Sequence, residues 1–214
     1  MENPADQVGR AAKPATRIQR AKREAILEAG LTVFADAGFR GATLDRIAQE
    51  AGLSKPNLLY YFPSKDAVHD TLLRGLLHTW LDPLRALDPT GDPLDEILGY
   101  VREKLRLSRD FPRESRLFAN EMLRGAPNMQ TVLEGELRTL VDDRADVIQG
   151  WIDRGALAPI DPVHLFFSIW SLTQHYADFD VQVRAVLGPG RDAHQEAEKH
   201  LETVFRRVLS PTAP

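Results

Sequence analysis

In the stretch AGLSKPNLLYYFPSK, residues 51–65, a lysine, an asparagine and two tyrosines follow a serine in close succession. The carboxamide of Asn57 can pair its donor and its acceptor with the edge of an adenine. Lys55 can reach a phosphate or a guanine edge. Tyr60 and Tyr61 add flat faces and hydroxyls. These groups can work together only if one rigid element holds them on one exposed face.

Pro56 shows what that element is. Inside a helix, proline removes a donor and clashes with the preceding turn. With Ser54 as N-cap, Lys55 and Pro56 become the first two helical residues, whose amides have no intrahelical partner to lose. Leu53 and Leu58 then take the two positions of a hydrophobic staple. Leu58 and Phe62 form the buried side. At 100° per residue, Pro56 and Tyr60 point directly away from it, with Asn57 and Tyr61 on one flank and Lys55 and Leu59 on the other. Upstream, Thr43 is a good N-cap, and Leu44, Ile47, Ala48 and Ala51 make one helical face before Gly52. Two short helices joined by a glycine-containing turn predict a helix-turn-helix, which enters a DNA major groove about 12 Å wide. Such a hairpin can also be plain core. The polar outer face beside a basic arm favours DNA.

The charge distribution agrees. The chain of 214 residues carries a net −4, yet residues 10–65 hold ten Lys/Arg against five Asp/Glu. Arg10 to Arg23 contains six cations and no acid. That asymmetry suits a polyanion partner at one end, although a solvated basic tail would look the same. There is no cysteine, so disulfide and thiolate chemistry are excluded, and the composition fits a reducing cytoplasm. The basic first 24 residues contain no signal-peptide core, and no run approaches the roughly 18 apolar residues of a membrane span.

The remainder reads as helix throughout, with no alternating segment and no tight hairpin turn. Nine helices are expected: about 16–37, 44–51, 55–62, 65–87 with a bend at Pro83, 93–109, 112–124, 127–154, 162–187 and 191–209. The fold class is all-α. One helix stands out: LFFSIWSLTQHYADF, residues 165–179, is apolar on every side at its start, and so needs cover from its own subunit and from a second chain. The last helix offers Leu201, Val204, Phe205, Val208 and Leu209 as a matching stripe. Two such helices from each of two subunits make a four-helix homodimer seam. His164 and His175 lie about 16 Å apart along a helix, too far to share a metal ion, so no metal site is expected. No Gly-x-Ser-x-Gly, HExxH or P-loop occurs, and no nucleophile has an evident base, so no catalytic residue and no cofactor are expected.

The run FADAGFRGATLDRIAQEAGLSKPNLLYYFPSKDAV resembles the DNA-binding domain of TetR-type regulators over about 50 residues. The pattern of that family is Thr-x-x-x-Ile-Ala, then Ala-Gly-Val/Leu-Ser-x-x-x-Leu-Tyr-x-x-Phe, then Ser-Lys-x-x-Leu. The resemblance implies a nine-helix TetR-like fold: a basic arm over 1–15, a helix-turn-helix domain over 16–64, a ligand-binding and dimerisation domain over 65–209, and a tail over 210–214. It implies double-stranded DNA with a near-palindromic operator as partner, contacted by Thr43, Ser54, Lys55, Asn57, Tyr60, Tyr61 and Lys65. Thr43 and Lys65 correspond to phosphate contacts. Leu59 stands where many members have tyrosine, and Pro56 where many have glycine. The C-terminal half, including LAPIDPVHLFFSIWSLTQHYADF, resembles the pyrimidine-utilisation regulators of that family. A small-molecule effector such as uracil or thymine is therefore implied, with control of pyrimidine catabolism. A pyrimidine wants aromatic faces and a carboxamide, for which Phe118, Asn120, Trp170, Gln174, His175, Tyr176 and Phe179 are the candidates. Alternatively these residues serve the core or the dimer seam, and the effector is a more hydrophobic molecule.

Overall fold

Three hydroxyl side chains start three successive helices, in a computed structural model that describes residues 17–211. The basic arm expected over 1–15 and residues 212–214 lie outside the described residues. Helix α1 (Arg17–Gly41) is interrupted at Gly38, where φ is +65°, a backbone state glycine adopts without strain. Thr43 Oγ1 accepts from the Arg46 amide at the start of α2 (Leu44–Glu50). Ser54 Oγ accepts from the Asn57 amide at the start of α3 (Lys55–Tyr61), with Pro56 in its first turn. Ser64 Oγ accepts from the Ala67 amide at the start of α4 (Lys65–Arg85), which carries Pro83 in its last turn. Each cap pairs an otherwise orphaned N-terminal amide, worth about 1 kcal/mol.

Aspartates open three of the remaining six helices. Asp92 caps α5 (Pro93–Asp110), Asp161 caps α8 (Pro162–Asp178) and Asp192 caps α10 (Ala193–Leu209). Between them lie α6 (Pro112–Leu123), α7 (residues 130–153) and α9 (Asp180–Leu187). Within α7, Leu133–Leu137 forms a π turn, so the helix keeps its course while one extra residue is accommodated. Among the described residues there are ten helices and no strand, one helix more than the sequence pattern predicts. The difference is at Phe179: the span expected as one helix to Leu187 breaks there (φ −114°, ψ 27°), and Asp180 restarts it. No proline or glycine marks that break in the sequence. The direction of α9 follows from packing against α8 and α10.

Two apolar cores hold the helices. One gathers Leu84, Ile97, Val101, Trp151, Phe166, Ile169, Leu201 and Phe205 from α4, α5, α7, α8 and α10. The other joins Ile26, Phe34, Ile47, Leu58 and Phe62 of α1–α3 to Val68, Leu73 and Leu77 of α4 and Leu117 of α6. Helix α4 therefore contributes to both. Arg144 of α7 donates to the carbonyls of Arg85 and Leu87 and so ties down the end of α4. The Trp151 indole N–H donates to the carbonyl of Pro89.

The approach of α1 to α4 depends on Gly30, which is buried. A Cβ there would lie 2.7 Å from Val68 Cγ1. Replacing Gly30 by Val should overpack this contact and cost about 1–3 kcal/mol, visible as a lowered thermal midpoint. A midpoint equal to that of the unmodified chain would show that the approach is not tight.

Candidate DNA interface and effector site

Helix α3 presents the face that the sequence pattern predicts. Leu58 is fully buried and Phe62 is 1% exposed, while Tyr60 is 73% exposed. Asn57 and Tyr61 are half-buried on the flank; Thr43, Ser54 and Lys55 are exposed. The Tyr60 and Tyr61 rings meet edge to face at 5.1 Å. Arg23 of α1 holds this unit together: its guanidinium lies 4.2 Å from the Phe62 ring centroid and donates to the Tyr61 carbonyl.

Two lysines have partners that the sequence pattern did not reveal. Lys55 Nζ lies 2.8 Å from Asp45 Oδ2 of α2, in a pair whose side chains are both largely exposed. Such a pair is worth little, so a phosphate can replace Asp45 at small cost. Lys65 Nζ donates to the carbonyls of Phe39 (2.7 Å) and Ala42 (3.0 Å) and sits over the Phe39 ring at 4.4 Å. Two of its three donors thus satisfy backbone groups after the α1 kink, and the third is free to meet a phosphate.

Behind this surface, His69 of α4 is buried between the rings of Phe34 and Phe39, with centroids at 4.9 and 4.7 Å. Its Nδ1 has no hydrogen-bond partner. Burial pushes its pKa below the ordinary value; Glu121 opposes this and Arg124 adds to it. Both belong to the end of α6, where buried Glu121 accepts from the Asn128 amide and Arg124 lies over the Phe39 ring at 4.8 Å. This is where helices α1–α3 meet the larger half.

The candidate effector residues do not form one cluster. Phe118 is half-buried and meets Trp80 of α4 at 5.2 Å. Trp170 donates its indole N–H to the Tyr100 hydroxyl at 2.7 Å, and Gln174, one turn on, is half-buried. His175 and Phe179 are exposed and stack on each other at 5.0 Å. Tyr176 faces His194, and with His175 it lines a groove of about 490 Å³ between α8, α9 and α10. Asn120 is exposed on α6. The aromatic faces thus split between the interior, the outer stripe of α8 and the α8–α10 groove.

The interior holds polar residues that sequence reasoning missed as site residues. Lys104 of α5 is 5% exposed, and its Nζ lies 5.2 Å from the Trp80 ring centroid. Burial pushes its pKa down to about 8, with Asp178 pulling the other way. Asp178 accepts a 2.6 Å hydrogen bond from the buried Ser115 hydroxyl. Burial raises the Asp178 carboxyl, opposed first by that hydrogen bond and then by Arg116, His175 and Lys104. A signal was present: Lys104 falls on the stripe Ile97, Val101, Lys104, Leu105 and Ser108, where the pattern demands an apolar residue. Among the described residues no group of His, Cys, Asp and Glu side chains could hold a metal ion, and no helix is long and apolar enough to cross a membrane.

Two family models match the chain: bacterial regulatory proteins of the tetR family over residues 26–70, and the C-terminal region of YcdC-like proteins over 73–214. The HTH-type transcriptional regulator RutR of Escherichia coli K12 is 52% identical over 199 residues, covering 93% of this chain and 94% of that protein. A tetR-family regulatory protein from Rhodococcus RHA1 superposes with a TM-score of 0.71 at 18% identity, covering 90% of this chain and 98% of that one. AibR solved with isovaleryl coenzyme A and operator DNA gives 0.69 at 16% identity, covering 89% and 100%.

Lys65→Ala should weaken binding to every DNA sequence alike and flatten the salt slope by about one unit. Asn57→Ala should instead erase discrimination at one base pair, worth about 1–3 kcal/mol. Band-shift titrations on matched and mutated sites separate the two; a sequence-dependent loss at Lys65 would contradict its role. His69 predicts a pH effect. The native state disfavours its protonation, so the unfolded state binds more protons, and stability should fall as pH drops through about 6.5. His194, also shifted down mainly by burial, has the same sign. His69→Phe should keep the ring packing and lose part of that fall in thermal melts between pH 7 and 5.

Proposed function

Because the chain belongs to the TetR family of bacterial transcriptional regulators, we propose that it acts as a homodimer that grips operator DNA according to the occupancy of an interior effector site. We further propose that the effector is a pyrimidine, uracil or thymine, and that the regulated genes serve pyrimidine catabolism in the cytoplasm. One observation carries the reading: α4 links the two regions. Its first residue, Lys65, is tied to the carbonyls behind the DNA face. Four turns on, Trp80 meets Phe118 and Lys104 in the interior. An effector that binds better to one tilt of α4 shifts the balance between two DNA-binding geometries, and only that difference in affinity can switch the protein.

The outer stripe of α8 supports the dimer. Phe167 and Leu172 are exposed at 47% and 39%, and Val208 of α10 at 48%. The hydroxyls of Ser168 and Ser171 donate to the carbonyls of His164 and Phe167 in their own helix, which leaves an apolar surface with few polar groups to desolvate. Pairing these stripes sets two α3 helices about 34 Å apart, one turn of DNA. AibR, with effector and operator in one structure, supports the view that this fold accommodates both.

The pyrimidine assignment rests on the resemblance of residues 157–179 to the pyrimidine-utilisation regulators and on the extent of the RutR match. The interior also contains Lys104, Asp178 and Ser115, which suit a polar ring better than a lipophilic chain. Titration of the full chain on the adjacent promoter, with and without uracil, should show a shifted DNA affinity. In the same buffer, sedimentation should give twice the 24.0 kDa chain mass. DNA affinity indifferent to uracil and thymine but altered by an acyl thioester or a steroid would replace the pyrimidine by a lipophilic effector.

A further inference from the structure

Lys104 is buried where four helices meet. Trp80 comes from α4, Lys104 and Tyr100 from α5, Ser115 and Phe118 from α6, and Trp170 and Asp178 from α8. Among the described residues, the other carboxylate or cation with so little exposure is Glu121, which is bonded to the Asn128 amide and paired with Arg124. Lys104 differs. None of the described residues offers its ammonium a hydrogen-bond acceptor; its neighbours are the Trp80 ring and, at longer range, Asp178. A buried ammonium without acceptors is costly, and a leucine on this stripe would pack without that cost.

Asp178 complements it. One carboxylate oxygen accepts from Ser115. No direct ion pair joins Asp178 to Lys104, although each feels the charge of the other. The interior therefore holds a donor with three free N–H groups against the Trp80 ring and, on α8, an acceptor with a free oxygen within electrostatic range but not in direct contact. A flat ring that carries a carbonyl next to an N–H would satisfy both and lie against the aromatic faces.

We infer that Lys104 and Asp178 are the specificity-determining pair of the effector site, with Lys104 donating to a ring carbonyl and Asp178 accepting from the neighbouring ring N–H of a cyclic imide. This deepens the pyrimidine reading and rests on it. It assigns the polar recognition to α5 and to the end of α8, and leaves Gln174 and Asn120 outside the essential set. A ligand with no acceptor would leave the ammonium unpaired, so lipophilic effectors are selected against.

The test uses the full-length chain and calorimetric titration with uracil. Lys104→Met keeps the side-chain length and removes the buried charge, so the variant should melt cooperatively at or above the wild-type midpoint. Its uracil affinity should fall roughly 10- to 100-fold. Undiminished uracil binding by Lys104→Met overturns the pair while leaving the pyrimidine reading in place. A wild-type chain that binds neither uracil nor thymine overturns that reading, and the pair with it. Should Lys104→Met not fold, the wild-type chain still decides: 1,3-dimethyluracil keeps both carbonyls and has no N–H, and it should bind at least tenfold more weakly than uracil. Equal affinity for the two would remove Asp178 as the acceptor and with it the inference.

Discussion

A single ammonium group holds the junction on which the rest of the structure depends. Lys65 begins α4 and donates to the carbonyls of Phe39 and Ala42, just beyond the kink at Gly38. Those carbonyls cannot continue the α1 helix, and unpaired they would carry a desolvation cost of about 1–3 kcal/mol each. The same lysine sits over Phe39, whose ring also faces His69 and Arg124. Because α4 then runs through both apolar cores, its direction is set at one end by the DNA-facing helices and at the other by Trp80 and its neighbours. Movement at either end must be accommodated at the other, since packed cores do not deform continuously.

Charge is used differently at the two ends. Around α3 the ion pairs are exposed: Lys55 with Asp45, and Arg46 with Asp36. Pairs of that kind exchange partners at little cost, as a surface that must meet and leave a polyanion requires. The larger half has exposed pairs as well, such as Arg106 with Glu103, but it also carries charges inside the fold. Glu121 is locked by an amide and an arginine at the α6 turn, where Gly125 and Ala126 both take positive φ. Lys104 and Asp178 lack that closure. The contrast separates a carboxylate that holds a turn from a pair with bonding capacity to spare.

Sequence periodicity was a sound guide wherever caps and stripes are local. Ser54, Pro56 and Leu58 located the start of α3 to the residue, and alternation of buried and outward positions placed Tyr60 outside. It failed where two elements distant in sequence meet. Nothing near Lys65 indicates that its ammonium reaches back 26 residues to Phe39. Nothing within 165–179 separates an outer pair, His175 and Phe179, from the interior Trp170, because a helix that is apolar all round has no periodic signal to tell its faces apart. Lys104 could have been found, since it interrupts an apolar stripe, but its neighbours Trp80 and Asp178 lie on other helices.

The amino-acid sequence by itself determined the all-helical class, the starts of the helices capped by Thr43, Ser54, Ser64, Asp92 and Asp161, the outward face of α3 and the family pattern around it. These depend on hydrogen bonds and side-chain spacing within a few residues, so a linear chain displays them. Only the tertiary structure decided the break at Phe179, the internal bonds of Lys65 and the meeting of Lys104, Trp80, Ser115 and Asp178. Those features arise where helices cross. Crossing is governed by how whole surfaces interlock, to which each residue adds a small share, and no local stretch of chain encodes that sum.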